Sequence, residues 1–243
     1  MSRSARDPEP FRPAVPDTQP EYDFPGYLSS RKRHPTQKLL RAPHTLTELT
    51  GPRFTADKFP AEIDISRTDG HEAMGERIIV AGTVADEDGK PVPHTMIEIW
   101  QANASGRYHH ERDQHAAPLD AHFRGTGRVF TDERGRYRFT SIKPGAYPWR
   151  NHPNAWRPNH IHYSLFGAGF ASRLVTQMYF PGDPLLPLDP VFNCVADAAA
   201  RERLIARFEL ALTEPEWALG YRFDIVLRGR GATPFEAGGK ERF

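Results

Sequence analysis

His160 and His162 have the most chemistry to offer, standing one residue apart in His160-Ile161-His162-Tyr163-Ser164-Leu165-Phe166. The run reads as a strand, in which side chains alternate between faces, so both imidazoles share one face while Ile161, Tyr163 and Leu165 share the other. Two imidazoles side by side can hold a metal, or can be ordinary polar residues on a solvated sheet face. Their surroundings favour the metal. Arg157-Pro158-Asn159 leads the chain into the strand, and upstream Tyr147 stands in Lys143-Pro144-Gly145-Ala146-Tyr147-Pro148-Trp149-Arg150, held on a stiff support between a Pro-Gly turn and a second proline. No carboxylate has the spacing that a ferrous His-x-Asp/Glu site needs near the pair. Phenolates are the other hard oxygen donors and favour a ferric ion. Tyr108 is a second candidate, closing Trp100-Gln101-Ala102-Asn103-Ala104-Ser105-Gly106-Arg107 at the end of another strand-like run. Two tyrosines and two histidines make a specific donor set.

The elements that must position these residues read as short strands. From Glu76 onward, apolar runs alternate with turn residues: Arg77 to Val84, then Asp88-Gly89 as a hairpin-like reversal, then Thr95 to Trp100. Val129 to Thr131, Glu133-Arg134-Gly135-Arg136 and Tyr137 to Thr140 repeat the arrangement. Strands at His160 to Phe166, Leu174 to Tyr179 and Tyr221 to Leu227 follow, the last with Phe223, Ile225 and Leu227 on one face. The pattern predicts an all-β sandwich of mostly antiparallel strands. One C-terminal helix is expected, capped by Asp197 and burying Leu204, Phe208 and Leu212 at i, i+4 and i+8.

Ten of the 23 prolines fall in the first 60 residues. Residues 1–70 are therefore expected to form a long irregular arm, and residues 71–243 the sandwich domain. The arm carries Phe11, Tyr22, Phe24, Tyr27, Leu39, Leu40 and Leu46, too many large apolar groups for a solvated tail. They are expected to be buried against a neighbouring chain, the alternative being that the arm wraps its own sandwich. A net charge of +1 gives no reason to invoke nucleic acid. With no signal-like or membrane-length apolar run and a single cysteine, Cys194, read as a small apolar filler, the expected location is the cytoplasm.

Trp100-Gln101-Ala102-Asn103 with Gly106-Arg107-Tyr108, Lys143-Pro144-Gly145 with Tyr147-Pro148-Trp149, Trp156-Arg157-Pro158-Asn159-His160-Ile161-His162 and Tyr221-Arg222-Phe223-Asp224-Ile225-Val226-Leu227-Arg228-Gly229 resemble the successive signatures of the intradiol ring-cleavage dioxygenases, over roughly residues 75 to 230. Within that family the chain is most similar to the iron-binding beta chain of the protocatechuate-cleaving branch, since it opens with a proline-rich arm where the catechol-cleaving relatives carry a helical dimerisation segment. The resemblance implies a non-haem Fe(III) enzyme that opens protocatechuate between its two hydroxyl-bearing carbons with O2, giving 3-carboxy-cis,cis-muconate. It also implies a homologous alpha subunit as partner in a hetero-oligomer.

Carried over residue by residue, Tyr147 and His162 would be axial iron ligands and Tyr108 and His160 equatorial ones. Tyr147 would act in turn as ligand and base. Arg157 would stabilise charge on the ring, with Gln177 hydrogen-bonding near it; a surface salt bridge and an ordinary strand residue are their alternatives. Trp149 and Val191 match pocket-lining positions, though core packing accounts for them equally, and the resemblance matches Tyr27 to an arm tyrosine that reaches the pocket. His109, His110, His115 and His122 read as surface residues. The competing functions are cleavage of catechol or hydroxyquinol, a cupin-like ferrous enzyme with a carboxylate ligand, and a non-enzymatic sandwich that binds without the tyrosines.

Overall fold

The computed structural model describes residues 15–32, 34–38, 40, 54–149, 156–166 and 173–236. Their strands are β1 (Arg67–Thr68), β2 (His71–Glu72), β3 (Arg77–Ala85), β4 (Met96–Trp100), β5 (Thr126–Phe130), β6 (Arg136–Ile142), β7 (Tyr147–Pro148), β8 (Trp156–Arg157), β9 (His160–Phe166), β10 (Arg173–Tyr179), β11 (Arg207–Phe208), β12 (Leu219–Arg222) and β13 (Ile225–Val226). One antiparallel sheet runs β10-β9-β4-β5. The other centres on β3, which pairs antiparallel with β6 and, along its other edge, parallel with β12 and then β13. Ile78, Val80, Ile97, Ile99, Val129, Phe139, Ile161, Tyr163, Leu165 and Phe223 fill the space between the sheets. This is the predicted sandwich.

Both predicted reversals form, but neither joins a hairpin of the strands it separates. Asp86 N–H donates to Lys90 O and Gly89 takes φ 78°, closing a turn after which Val92 N–H still donates to Val84 O. Pro91 and Pro93 then offer no N–H to a ladder and His94 adopts φ 56°, so the chain leaves β3 and enters the opposite sheet as β4. The turn at Asp132 to Arg136 likewise carries the chain from β5 in one sheet to β6 in the other. The last predicted strand is split: β12 and β13 are interrupted at Asp224, whose carboxylate accepts from Thr83 N–H and Oγ1.

The single C-terminal helix is corrected to two short ones, α1 (Pro190–Asn193) and α2 (Ala198–Glu202). Asp197 caps α2 as expected, accepting from Ala200 N–H at 2.6 Å. The apolar stripe does not continue the helix, because the backbone finds sheet partners first. Tyr179 N–H donates to Leu204 O, Ala206 N–H to Tyr179 O, and Phe208 lies exposed in β11 opposite Tyr221. Of the stripe only Leu204 is buried in the way expected.

In the arm, Tyr27 is buried on its own chain against Val191, Cys194, Phe24 and Trp149, as in the alternative reading. Tyr22 and Leu40 are exposed. Phe11, Leu39 and Leu46 lie outside the described residues. Cys194 is free and buried, and burial, followed by the Asp189 charge, pushes its thiol up to about 12. It should therefore resist thiol reagents near neutral pH until the chain unfolds; rapid stoichiometric labelling of the native protein would contradict this packing.

Candidate metal centre

β9 does what its alternation dictates. Ile161, Tyr163 and Leu165 enter the core, while His160 and His162 face the other way. That second face is not solvated, since His160 is 2% and His162 0% exposed. Strand register brings the companions. Gln177 and Trp100 stand opposite His162 on the two flanking strands, and Tyr179 stands opposite His160. The Trp100 ring stacks on His162 at 4.7 Å with planes 4° apart.

The tyrosines arrive from two loops that are stitched together. Asn103 Oδ1 accepts from Ser105 N–H and Arg107 N–H, which folds the loop bearing Tyr108. Gly145 N–H donates to Asn103 O, and Gln101 Nε2 to Ile142 O, tying that loop to the one bearing Tyr147. Gly106 is required at the crossing: it holds φ 81°, and a Cβ there would sit 2.1 Å from Ala146 O. The β7–β8 ladder then sets Tyr147 directly opposite Arg157.

The four groups converge in a chain of close contacts: Tyr147 Oη to His160 Nε2 at 3.2 Å, His160 Nε2 to His162 Nε2 at 3.2 Å, and His162 Nε2 to Tyr108 Oη at 3.1 Å. His160 Nδ1 lies 2.7 Å from Pro158 O and His162 Nδ1 lies 3.3 Å from a Glu236 carboxylate oxygen, so both Nδ1 atoms carry the proton. The two Nε2 atoms therefore turn lone pairs toward one another, an arrangement that a shared cation relieves. Burial, then the Arg157 charge and His162, hold His160 well below the usual imidazole range, in the neutral form that can ligate. The donor set of two imidazoles and two phenols fits a ferric ion. The Glu236 carboxylate lies behind His162 on its outer nitrogen, on the side away from the converging Nε2 and Oη atoms.

Arg157 is fully buried, so its reading as a surface salt bridge is set aside. Its guanidinium donates to both oxygens of Asp189 at 3.0 and 2.9 Å, to Gln177 Oε1 at 2.7 Å and to Tyr179 Oη at 3.1 Å, with Nη1 3.3 Å from His160 Nε2. Burial opposes its charge, and the Asp189 carboxylate together with Tyr147 and Tyr179 more than offsets this. Trp149 lies beneath the guanidinium at 5.2 Å and meets Tyr27 at 5.1 Å, so Trp149, Tyr27 and Val191 form one apolar wall beside Arg157. His109 and His110 are exposed and His115 and His122 half-buried.

Sequence reasoning missed Asp189, Tyr179 and Glu236. Tyr179 was within reach, two residues from Gln177 on the same strand face. Asp189 showed only a cap signal before Pro190, and Glu236 showed none.

A family model described as Dioxygenase matches residues 49–229 of this chain, and one described as Protocatechuate 3,4-dioxygenase beta subunit N terminal matches residues 11–45. The chain belongs to the intradiol dioxygenases. This intradiol dioxygenase is 58% identical over 222 residues to the protocatechuate 3,4-dioxygenase beta chain of Burkholderia cepacia, covering 90% of this chain and 94% of that one. It is 34% identical over 166 residues to the alpha chain of the Pseudomonas putida enzyme, covering 68% and 77%. The crystal structure of 3-chlorocatechol 1,2-dioxygenase from Rhodococcus opacus 1CP, 24% identical over 68% of this chain and 64% of that one, shares its fold with a TM-score of 0.53. Among the described residues, no helix is long and apolar enough to cross a membrane.

Proposed function

We propose that this intradiol dioxygenase is the iron-carrying beta chain of a protocatechuate 3,4-dioxygenase. Tyr108, Tyr147, His160 and His162 hold a non-haem Fe(III), and a homologous alpha subunit completes the assembly. The reaction inserts both atoms of O2 and opens the ring of protocatechuate between its two hydroxyl-bearing carbons, giving 3-carboxy-cis,cis-muconate. The observation that carries this reading is the convergence of two Nε2 and two Oη atoms, each 3.1–3.2 Å from the next, in a buried site. The beta chain that this protein resembles over nine-tenths of its length supports the choice of substrate and partner.

The ferric ion, when bound, supplies the Lewis acidity that chelates both oxygens of a deprotonated diol and makes the ring reactive toward O2. The rest falls to the chain. Tyr147 Oη takes up a proton from one diol hydroxyl as the substrate enters. Arg157 keeps a fixed positive charge where negative charge develops on the ring, in a site dry enough for that charge to act at full strength. Trp149, Tyr27 and Val191 exclude water beside it.

The test is purification with iron, followed by assay with and without the alpha subunit against protocatechuate, catechol and hydroxyquinol. Expected are about one iron per beta chain, a red to burgundy colour from phenolate-to-iron charge transfer, and 3-carboxy-cis,cis-muconate as product. A colourless, iron-replete protein would overturn the ligand set, and preference for catechol or hydroxyquinol would overturn the substrate. Tyr147→Phe should retain some iron and some colour through Tyr108 while turnover falls ~100-fold or more. Unchanged turnover would remove Tyr147 from the proton step.

A further inference from the structure

The segment after β13 returns to the site by a route that the ligand set does not require. Thr176 Oγ1 donates to Pro234 O at 2.6 Å and Glu236 N–H to Val175 O at 2.7 Å, so residues 234–236 lie along the open edge of β10, the outer strand of its sheet. Phe235 N–H donates to Gln19 Oε1 of the arm, fixing the segment from its other side. The consequence of this double anchoring is the placement of Glu236, whose carboxylate stands 3.3 Å from His162 Nδ1 with 8% of its side chain exposed.

A buried carboxylate is costly unless something compensates it. Here the His162 Nδ1–H faces the Glu236 carboxylate at 3.3 Å and compensates it. A carboxylate on the outer nitrogen of a ligating imidazole fixes the tautomer and ring orientation and makes the inner nitrogen a stronger donor. His160 has a neutral carbonyl, Pro158 O, in the same place. The two imidazoles thus have unequal support, and among the described residues it is His162 that has an anion behind it.

Given the iron site proposed above, we propose that Glu236, carried to the site by the segment that follows β13, is a positioning residue for His162. The test compares Glu236→Ala, Glu236→Gln and Thr176→Ala in the iron-loaded assembly with its alpha subunit. The readouts are the rate of iron loss to a ferric chelator and the position of the charge-transfer band. Glu236→Ala should lose iron ~10- to 100-fold faster than the unaltered protein and shift the band. Glu236→Gln keeps an oxygen that can accept from Nδ1–H but no charge, and should recover part of the retention. Thr176→Ala loosens the segment without touching the carboxylate, and should lie much closer to the unaltered protein than Glu236→Ala does.

His162→Ala serves as the control on the site itself. If it keeps its iron, the ligand assignment fails. If it loses iron while Glu236→Ala retains it as long as the unaltered protein with an unshifted band, the ligands stand and the role of Glu236 is overturned. Equal losses in Glu236→Ala and Thr176→Ala, with no recovery in Glu236→Gln, would reduce Glu236 to part of the packing and also overturn it.

Discussion

His160→Ala and His162→Ala should each purify with iron far below one per chain and with most of the red colour gone. Each would remove one of the four donors proposed for the iron, so the loss should exceed the ~10- to 100-fold that removing a supporting group costs a metal site. The two variants should nevertheless differ in stability. His160→Ala frees a backbone carbonyl, Pro158 O, whereas His162→Ala takes the donor that faces the buried Glu236 and the stacking partner from Trp100. His162→Ala should therefore melt at the lower temperature. Metal analysis, absorbance and a thermal scan on both variants decide the matter, and full iron occupancy in either would overturn the ligand set.

The difference between the two histidines shows where the sequence stops being informative. Their shared face follows from the alternation of one strand and was legible, as was the sandwich that carries it. Tyr108 and Tyr147 were legible as candidates because rigid, glycine- and proline-bearing segments surround them, and the structure gives Gly106, Asn103 and Gly145 the task of locking the two loops together. The partners behind these groups come from far along the chain. Asp189 follows Arg157 by 32 residues and Glu236 follows His162 by 74, each an isolated acid with no spacing to mark it. The failures of local reading have the same origin. A helical period at Leu204, Phe208 and Leu212 lost to hydrogen bonds offered by Tyr179 and β12, and the turn at Asp88-Gly89 joined different sheets because the prolines after Lys90 end the ladder that a hairpin would have continued.

Asp189→Ala should damage the protein more than any single ligand change, because it strands a charge. Arg157 and Asp189 are both fully buried and meet through two charge-assisted hydrogen bonds, and Asp189 also accepts from Tyr179 Oη and from Phe192 N–H at the start of α1. Removing one partner of such a pair costs ~3–5 kcal/mol, where replacing both with apolar groups of similar size is often close to neutral. For a chain of this length that loss lowers the melting temperature by about 10 °C. Turnover should also fall, since the guanidinium loses the fork that aims it. Arg157→Ala should slow ring cleavage ~100-fold or more while apparent substrate affinity changes little, because the charge acts where negative charge develops and not where the diol oxygens are chelated. The double variant Arg157→Met with Asp189→Leu separates the two roles: it should regain most of the stability lost in Asp189→Ala and none of the turnover. A double variant as unstable as Asp189→Ala would mean that the pair's other hydrogen bonds hold the fold. Turnover restored along with stability would mean that the ring never needed the charge.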